Sequence, residues 1–439
     1  MAIAQIRQYL LLCLVLLFAI TGCGQKKSTR TTNGKIEIEV AVFQGGYGLD
    51  FFEKAAREYE KLHPNIRIRV WGNPRIWEQL RTRFVAGDVP DLCWPGWGMD
   101  TWALVYDGKV MEMDKYLNQK AYDQDIKWKD TFLPDLLEKG KYKGHYYILP
   151  FNNNVFGWWY NVGLFKKHGW KPPKTYEELL KLCEQIKKTG IAPITYQGKY
   201  PAYMIRGFLI PWAISAGGLQ AFEDAQKLKP GAWKSAAFLK AARMIAELRD
   251  KGYFQKGAMG MDHTGAQMEF LLGRAAMIPC GTWLRSEMQK QIPPGFRMAY
   301  FNPPVLANGK GDPSITQSSA ETWIVPKDAK HPEIGADFFR FMTSLKMAKK
   351  FVQEKQTLMS IKGSDQTQLP PDLILPARYL RNAKATWDAE FSDWYKAMNK
   401  EIEAAVAALL SGEISPEECC ERMERAAEET RNDPSIPKH

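Results

Sequence analysis

The stretch "KGHYYILPFNNNVFGWWYNVGLFKKHGWKPPKTYEELL", Lys143 to Leu180, decides how the chain is read. A strand-and-helix pattern closes at "HYYILPF" and restarts beyond it. Thr175–Glu178, "TYEE", has the form of a capping box: the Thr hydroxyl can take the amide three residues on while the Glu returns to the cap amide. It opens an amphipathic helix that ends near Thr189–Gly190. Downstream, helices fit residues 236–251 and 265–272, and strands fit "RAAMIP" (274–279) and "FRMAYFNPP" (296–304). The tail reads as helix from Trp387 to Leu410, then as a second capping box at Ser415–Glu418 with Pro416 in the first turn.

Upstream the pattern is regular. "KIEIEVAVF" (35–43) alternates and is β-branched, which predicts a strand. A helix over about 50–63, a strand "IRIRVWG" (66–72), a helix over about 75–86 stopped by Gly87, and a strand at "PDLCW" follow. Strand–helix–strand–helix–strand implies a parallel sheet in an α/β domain. No internal repeat is evident.

Before residue 35 the chain is of another kind. "YLLLCLVLLFAI" (9–20) follows a single positive charge, Arg7, and is shorter than the roughly 20 apolar residues that span a bilayer. A charged start, a short apolar middle and small residues at the end describe an export signal over 1–22. Its ending, Ile20-Thr21-Gly22-Cys23, resembles the bacterial lipobox, which implies a lipid on Cys23 as the first residue of the processed chain and an extracytoplasmic, membrane-anchored location. Residues 23–34 are Lys-, Ser-, Thr- and Gly-rich and read as a flexible tether.

Composition bounds the rest. The chain has 439 residues, 45% apolar and 25% charged, enough for two or three packed domains. Removing 1–22 leaves 59 basic against 49 acidic residues, but the charges are interleaved, as in "YEELLKLCEQIKK". That pattern suits solubility or an anionic envelope and not nucleic acid. Beyond Cys23 the remaining thiols are Cys93, Cys183, Cys280, Cys419 and Cys420, an odd number at irregular spacing, expected to be buried and free. Catalytic fingerprints are absent: no G-x-S-x-G elbow, P-loop or H-E-x-x-H occurs. "GGYGLD" (45–50) lacks the full dinucleotide spacing, and the six histidines share no metal-ligand spacing. Asp123 and Asp125 lack the glycine and final glutamate of a calcium loop. No cofactor and no metal are expected.

Aromatic residues are in excess: 15 Trp, 18 Tyr and 21 Phe. Several stand beside Gly, Asn and Pro in "CWPGWGMD", "FNNNVFGWWYN", "PWAIS", "CGTWLR" and "ETWIVP". Flat rings stack on the C–H faces of sugars while amides and carboxylates bond the hydroxyl rim, so this set points to a concave site for a neutral polar ligand.

With these segments in view the chain resembles family 1 extracellular solute-binding proteins, the maltose-binding-protein-like receptors of ABC importers. The likeness runs through "AGDVPDLCW", "YDGKVMEMDKYL", the Lys143–Leu180 stretch, "FLLGRAAMIPCGTW" and "HPEIGADFFRFMTS". It implies a type II-like periplasmic-binding-protein fold, with two α/β lobes joined by hinge strands and a ligand cleft between them. The crossings fall near 150, 316 and 360, giving one lobe from 35–150 and 317–360 and another from 151–316 and 361–439. The resemblance further implies a carbohydrate ligand, ABC permease subunits as partner, a monomer, and no catalysis. Carried over by position, the ligand-binding residues are Gln44, Gly45, Gly46, Tyr47, Trp94, Trp97, Asn152, Asn154, Trp212, Trp283, Ser318, Ser319, Glu321 and Trp394. Asparagines at 152–154 stand where maltose receptors carry an acidic group, which counts against maltose itself. A sensor subunit for a membrane signalling system and a cell-surface glycan-active enzyme are the alternative readings.

Overall fold

A computed structural model describes residues 34–439. The signal, the lipobox cysteine Cys23 and nearly all of the tether therefore lie outside the described residues.

The first lobe begins with β1 (Ile36–Phe43), α1 (Asp50–Leu62), β2 (Ile66–Asn73), α2 (Ile76–Ala86), β3 (Leu92–Trp94) and α3 (Thr101–Tyr106). The sheet is parallel in the order β2-β1-β3, with Val40 opposite both Val70 and Leu92. This is the arrangement that the alternating pattern predicts. Gly87 ends α2 at φ +68°, and its amide returns to the carbonyls of Arg83 and Phe84; a side chain would be strained there.

The chain leaves this lobe through β4 (Leu149–Pro150) and β5 (Asn152–Asn153) and builds the second from β6 (Phe156–Asn161), α4 (Tyr176–Lys187), β7 (Ala192–Ile194), α5 (Ala236–Asp250), α6 (His263–Leu271), β8 (Ala275–Gly281), α7 (Leu284–Met288) and β9 (Met298–Phe301). The sheet order is β9-β6-β8-β7, with β6 antiparallel to both neighbours and β8 parallel to β7. The second sheet is thus mixed. Gly157 in β6 has no room for a side chain, because the Tyr300 hydroxyl would lie 2.3 Å and its ring 2.5 Å from a Cβ there.

Two further passages link the lobes. β10 (Thr316–Gln317) and β11 (Thr322–Trp323) form the second; after α8 (Pro332–Met342) and α9 (Leu345–Lys355), β12 (Leu358–Met359) forms the third. β11 pairs with β4, β12 with β5, and Asn154 bridges to Ser319. The chain closes with α10 (Pro371–Asn382), β13 (Thr386–Trp387), α11 (Phe391–Trp394), α12 (Lys396–Ser411) and α13 (Pro416–Asn432). The helix expected from Trp387 begins only at Lys396, because Trp387 is taken by β13, which runs parallel to β10.

Separate cores mark the lobes. Phe51, Phe52, Leu149, Phe151, Trp323, Phe351 and Met359 share one, while Trp158, Phe208, Trp212, Ile245, Phe391 and Val406 share another. Val155 and Leu358 join a third cluster with Trp159, Ile278 and Leu373. Core membership changes between Phe151 and Val155 and between Leu358 and Met359, so the chain passes from one core to another at those strands. All five described cysteines are buried and free, as expected from their spacing.

Candidate functional site

The polar centre of the molecule lies where the three passages meet. Asn152 and Asn154 are buried on the first crossing. Asn152 donates Nδ2 to the Tyr47 hydroxyl (3.1 Å) and accepts the Glu321 amide on Oδ1 (2.7 Å). Asn154 accepts the Tyr47 hydroxyl (3.1 Å) and donates to Glu321 Oε1 (3.3 Å). Tyr47 also meets Thr357 Oγ1 at 3.2 Å, which ties in the third crossing. Ser318 donates to Asn153 Oδ1 (2.8 Å), and Ser319 exchanges two backbone bonds with Asn154 (2.7 and 3.0 Å). Five of the residues read from sequence, Tyr47, Asn152, Asn154, Ser319 and Glu321, therefore form one continuous network, with Ser318 joined through Asn153.

Burial pushes the Glu321 carboxyl up to about 7, with bonds from Trp94 and Asn154 pulling it down and the nearby Asp393 and Asp388 raising it further. The same burial, with Glu321 beside it, raises the Tyr47 phenol. Trp94 is buried, its ring 6.3 Å from Tyr47 and 6.1 Å from Trp323 in stacked orientations. It closes the first-lobe side of the floor.

The second lobe supplies the facing wall. Trp283 is half-buried at the end of β8, with its ring near Phe156 (5.9 Å) and Tyr203 (6.3 Å). Gly281 lets the indole lie flat on the strand, since a Cβ there would meet the six-membered ring at 2.0 Å. Glu287, four residues beyond Trp283, accepts Gln267 Nε2 (2.7 Å), and burial raises its carboxyl. Across the cleft Gly46 faces it: a Cβ on Gly46 would stand 3.5 Å from Glu287 Cβ. The lobes also touch through Arg285, which donates to Gln356 (2.6 Å), and through Lys139, which pairs with Asp388 (3.7 Å).

Other residues carried over by position stand apart. Gln44 and Gly45 form the turn after β1, with Gln44 exposed. Trp97 is 62% exposed on the rim, against Trp77 at 4.8 Å. Trp394 is half-buried and packs on the first-lobe cluster that holds Trp102. Trp212 is a correction: it is wholly buried in the second-lobe core, its indole donating to the Pro304 carbonyl (2.9 Å). Trp158, Trp159 and Trp323 from the aromatic loop set are likewise core residues. Glu287, Thr357 and Tyr203 were not read from sequence. Glu287 had a signal in its spacing, since a residue four positions on shares a helix face with Trp283.

Elsewhere, among the described residues, Glu112, Asp114 and His145 gather their oxygen and nitrogen atoms within 4.8 Å. The group is on the surface, and Asp114 already accepts the Tyr146 amide (3.0 Å). Asp123 caps α9 through the Leu345 and Lys346 amides (3.0 and 2.9 Å), a structural task. No helix of the described residues is long and apolar enough to cross a membrane.

Comparison with known proteins accords with this architecture. The chain is 26% identical over 411 residues to the diacetylchitobiose binding protein NgcE of Streptomyces coelicolor, covering 91% of this chain and 86% of that one. A solved structure from work on xylan utilisation by Caldanaerobius polysaccharolyticus superposes with a TM-score of 0.76 at 22% identity, covering 89% and 99% of the two chains. A chitin oligosaccharide binding protein gives 0.72 at 22% identity, covering 87% and 94%. These likenesses show the two-lobed fold. Residues 45–349 match the bacterial extracellular solute-binding protein family, and the chain belongs to that family of extracytoplasmic binding proteins.

Proposed function

We propose that the chain is the substrate-binding receptor of an ABC importer, taking an oligosaccharide into the interlobe cleft and presenting it to the permease. The observation that carries this reading is the hinge floor: Tyr47, Asn152, Asn154 and Glu321 gather amide, phenol and carboxyl groups, backed by the buried Trp94, while Trp283 of the second lobe keeps a half-exposed ring. That combination suits a neutral ligand with apolar faces and hydroxyl rims. The names of the similar proteins, which speak of diacetylchitobiose and chitin oligosaccharide, favour β-linked amino-sugar oligomers as the first ligands to try.

On this reading the lobes are 35–150 with 317–360 and 151–316 with 361–439, and ligand closes one on the other about the three crossings. The protein is a monomer that performs no chemistry on its ligand, and Cys23 carries the lipid that holds it at the membrane. Gly46, Tyr47, Asn154, Trp283 and Glu321 are the residues that touch sugar, and Trp94 supports them from the first-lobe core.

A thermal-shift panel of xylose, N-acetylglucosamine and galactosyl-sucrose oligomers tests the reading. A ligand at 100 times its dissociation constant adds about 2.7 kcal/mol to stability. The panel is followed by small-angle scattering of the best binder, where a smaller radius of gyration is expected with ligand. A panel without a hit, or an unchanged radius at saturation, counts against it.

A further inference from the structure

Between the lobes, beside Trp394 and Trp102, the chain packs against itself. Beyond α13 the segment 433–439, "DPSIPKH", turns back: Asp433 accepts the Ser435 amide (2.8 Å) and hydroxyl (2.6 Å), and Ile436 packs on the second-lobe core. Pro434 and Pro437 restrict its path, so little chain entropy opposes its order. The segment ends with the imidazole of His439 among five aromatic rings. It stacks on Trp394 at 4.6 Å and 1°, meets Trp102 edge-on at 5.0 Å, and lies 5.9, 6.0 and 6.3 Å from Tyr106, Tyr142 and Tyr395. Its Nε2 bonds the Tyr106 hydroxyl, and its backbone amide donates to the Tyr395 hydroxyl (3.1 Å).

This cage is shared between lobes. Trp102 belongs to the outer cluster of the first lobe, whereas Trp394 and Tyr395 lie between β13 and α12 of the second. Trp394 packs on that same cluster, whose paired Cys93 and Ile324 are the chain neighbours of Trp94 and Trp323, so the cage adjoins the floor. Its make-up is that of a sugar subsite: indole faces for a pyranose ring, with two phenol hydroxyls at the edge for its hydroxyls. His439 now takes both. Burial keeps the ring neutral, with its pKa pushed down to about 4, so it stacks as an uncharged plate.

We propose that segment 433–439 is a length stop: His439 fills the interlobe aromatic cage and limits how many sugar units of an oligosaccharide the cleft can hold. The proposal rests on the carbohydrate reading above and adds a specificity-determining residue to it. A short ligand reaches the floor and Trp283 without meeting the tail. A longer one must displace His439 before its outer ring can stack on Trp394.

The test compares the native chain with His439→Gly, a change at an end of the fold that leaves both cores intact. Calorimetric titration uses N-acetylglucosamine and xylose oligomers from dimer to hexamer, and acrylamide quenching of tryptophan fluorescence is read without ligand. The expected result is unchanged affinity for the shortest binder, a gain of about tenfold for the longest, and stronger quenching as Trp394 and Trp102 are uncovered. Equal affinities at every length overturn the length stop. A loss at every length also overturns it, because it would make the tail a clasp that favours the closed lobes. Unchanged quenching removes His439 from the cage. Failure of the native chain to bind any oligomer, with quenching still increased, overturns the carbohydrate reading and the length stop built on it, while the tail keeps its place.

Discussion

In the core of the second lobe Trp158 and Trp212 are wholly buried, and each donates its indole N–H to a backbone carbonyl 2.9 Å away, of Gly207 and of Pro304. On the cleft wall of the same lobe Trp283 is half-buried, laid on Gly281 and flanked by Phe156 and Tyr203, with the rest of the ring uncovered. The three side chains are chemically identical, so the difference is one of surroundings. A core indole is held on both faces and at its polar edge by its own lobe, and its removal leaves a void and an orphaned carbonyl. A wall indole is only partly covered, which leaves area to offer a ligand. The comparison teaches that aromatic abundance by itself does not locate a binding site; a missing neighbour does.

The sharpest way to break this contrast is at Trp212. Trp212→Ala is expected to cost about 3–5 kcal/mol of stability through the cavity it leaves, read as a lower denaturant midpoint, with affinity of the surviving folded protein unchanged. Trp283→Ala is expected to do the reverse. Loss of one stacked ring costs about 1–3 kcal/mol of binding by analogy with other ring-stacking platforms, roughly a tenfold to hundredfold rise in dissociation constant, with the midpoint moving much less. If both variants lose stability alike, Trp283 is a core residue and the wall is misplaced.

These two tryptophans also show how far the sequence could be read. Trp212 stands in "PWAIS", and Pro211 suggests a loop; in the structure Pro211 lies inside a helical run over 202–217, just past the π-helical turn 205–209, whose altered hydrogen-bond ladder accommodates a residue without an amide. Local composition could not distinguish the two, because only the tertiary packing decides. The first sheet was legible, since β1 alternates and is joined to its partners by helices. The direction of β6 was not: "FGWWYN" is buried on nearly all its length and carries no alternation to report a face. Trp387 was read as helix because its partner, Gln317, lies far along the chain. At Thr175 the hydroxyl accepts the Glu178 amide as the capping box predicts, yet Glu178 returns to the Lys174 amide (2.7 Å), one residue earlier than the motif implies. Tyr47, Asn152, Asn154 and Glu321 were found through resemblance; no periodicity marks them, since their meeting is a product of three crossings.

The floor and the acid beside it should also make the protein respond to pH. Burial raises Glu321 to about 7 and Glu390 to about 8, from an ordinary glutamate value near 4.5. Between these values the folded state holds protons that the unfolded state has released, so stability falls as pH rises through about 4.5 to 7 or 8. Glu321→Gln should flatten the lower part of that slope. Ligand hydroxyls donating to Glu321 favour its ionised form, so binding should release a proton, and affinity should rise from pH 6 to pH 8 by no more than about tenfold per unit. Titrations in buffers of different ionisation enthalpy read the proton directly. Proton uptake on binding would mean that the ligand meets the neutral acid, and the floor would then act as a donor.

The smallest expected effect separates the two regions most cleanly. Ser415 caps α13 by accepting the Glu418 amide (3.1 Å), with Pro416 in the first turn, while the Glu418 carboxylate turns to Arg422 (2.8 Å) instead of back to the cap. Only half of the capping box is built, so Ser415→Ala should cost about 1 kcal/mol, seen as a modest drop in the unfolding midpoint. Helix α13 packs on α5 and α12 in the second-lobe core, and its far end leads to Asp433 and the tail. Fraying at Ser415 loosens the first turn and leaves the last turn held by its own backbone bonds, so the position of His439 and the affinity for oligosaccharide should stay as they are. A shift in affinity from this one hydroxyl would show that the core of the second lobe and its cleft wall are mechanically one body, and that the division between Trp212 and Trp283 is one of degree.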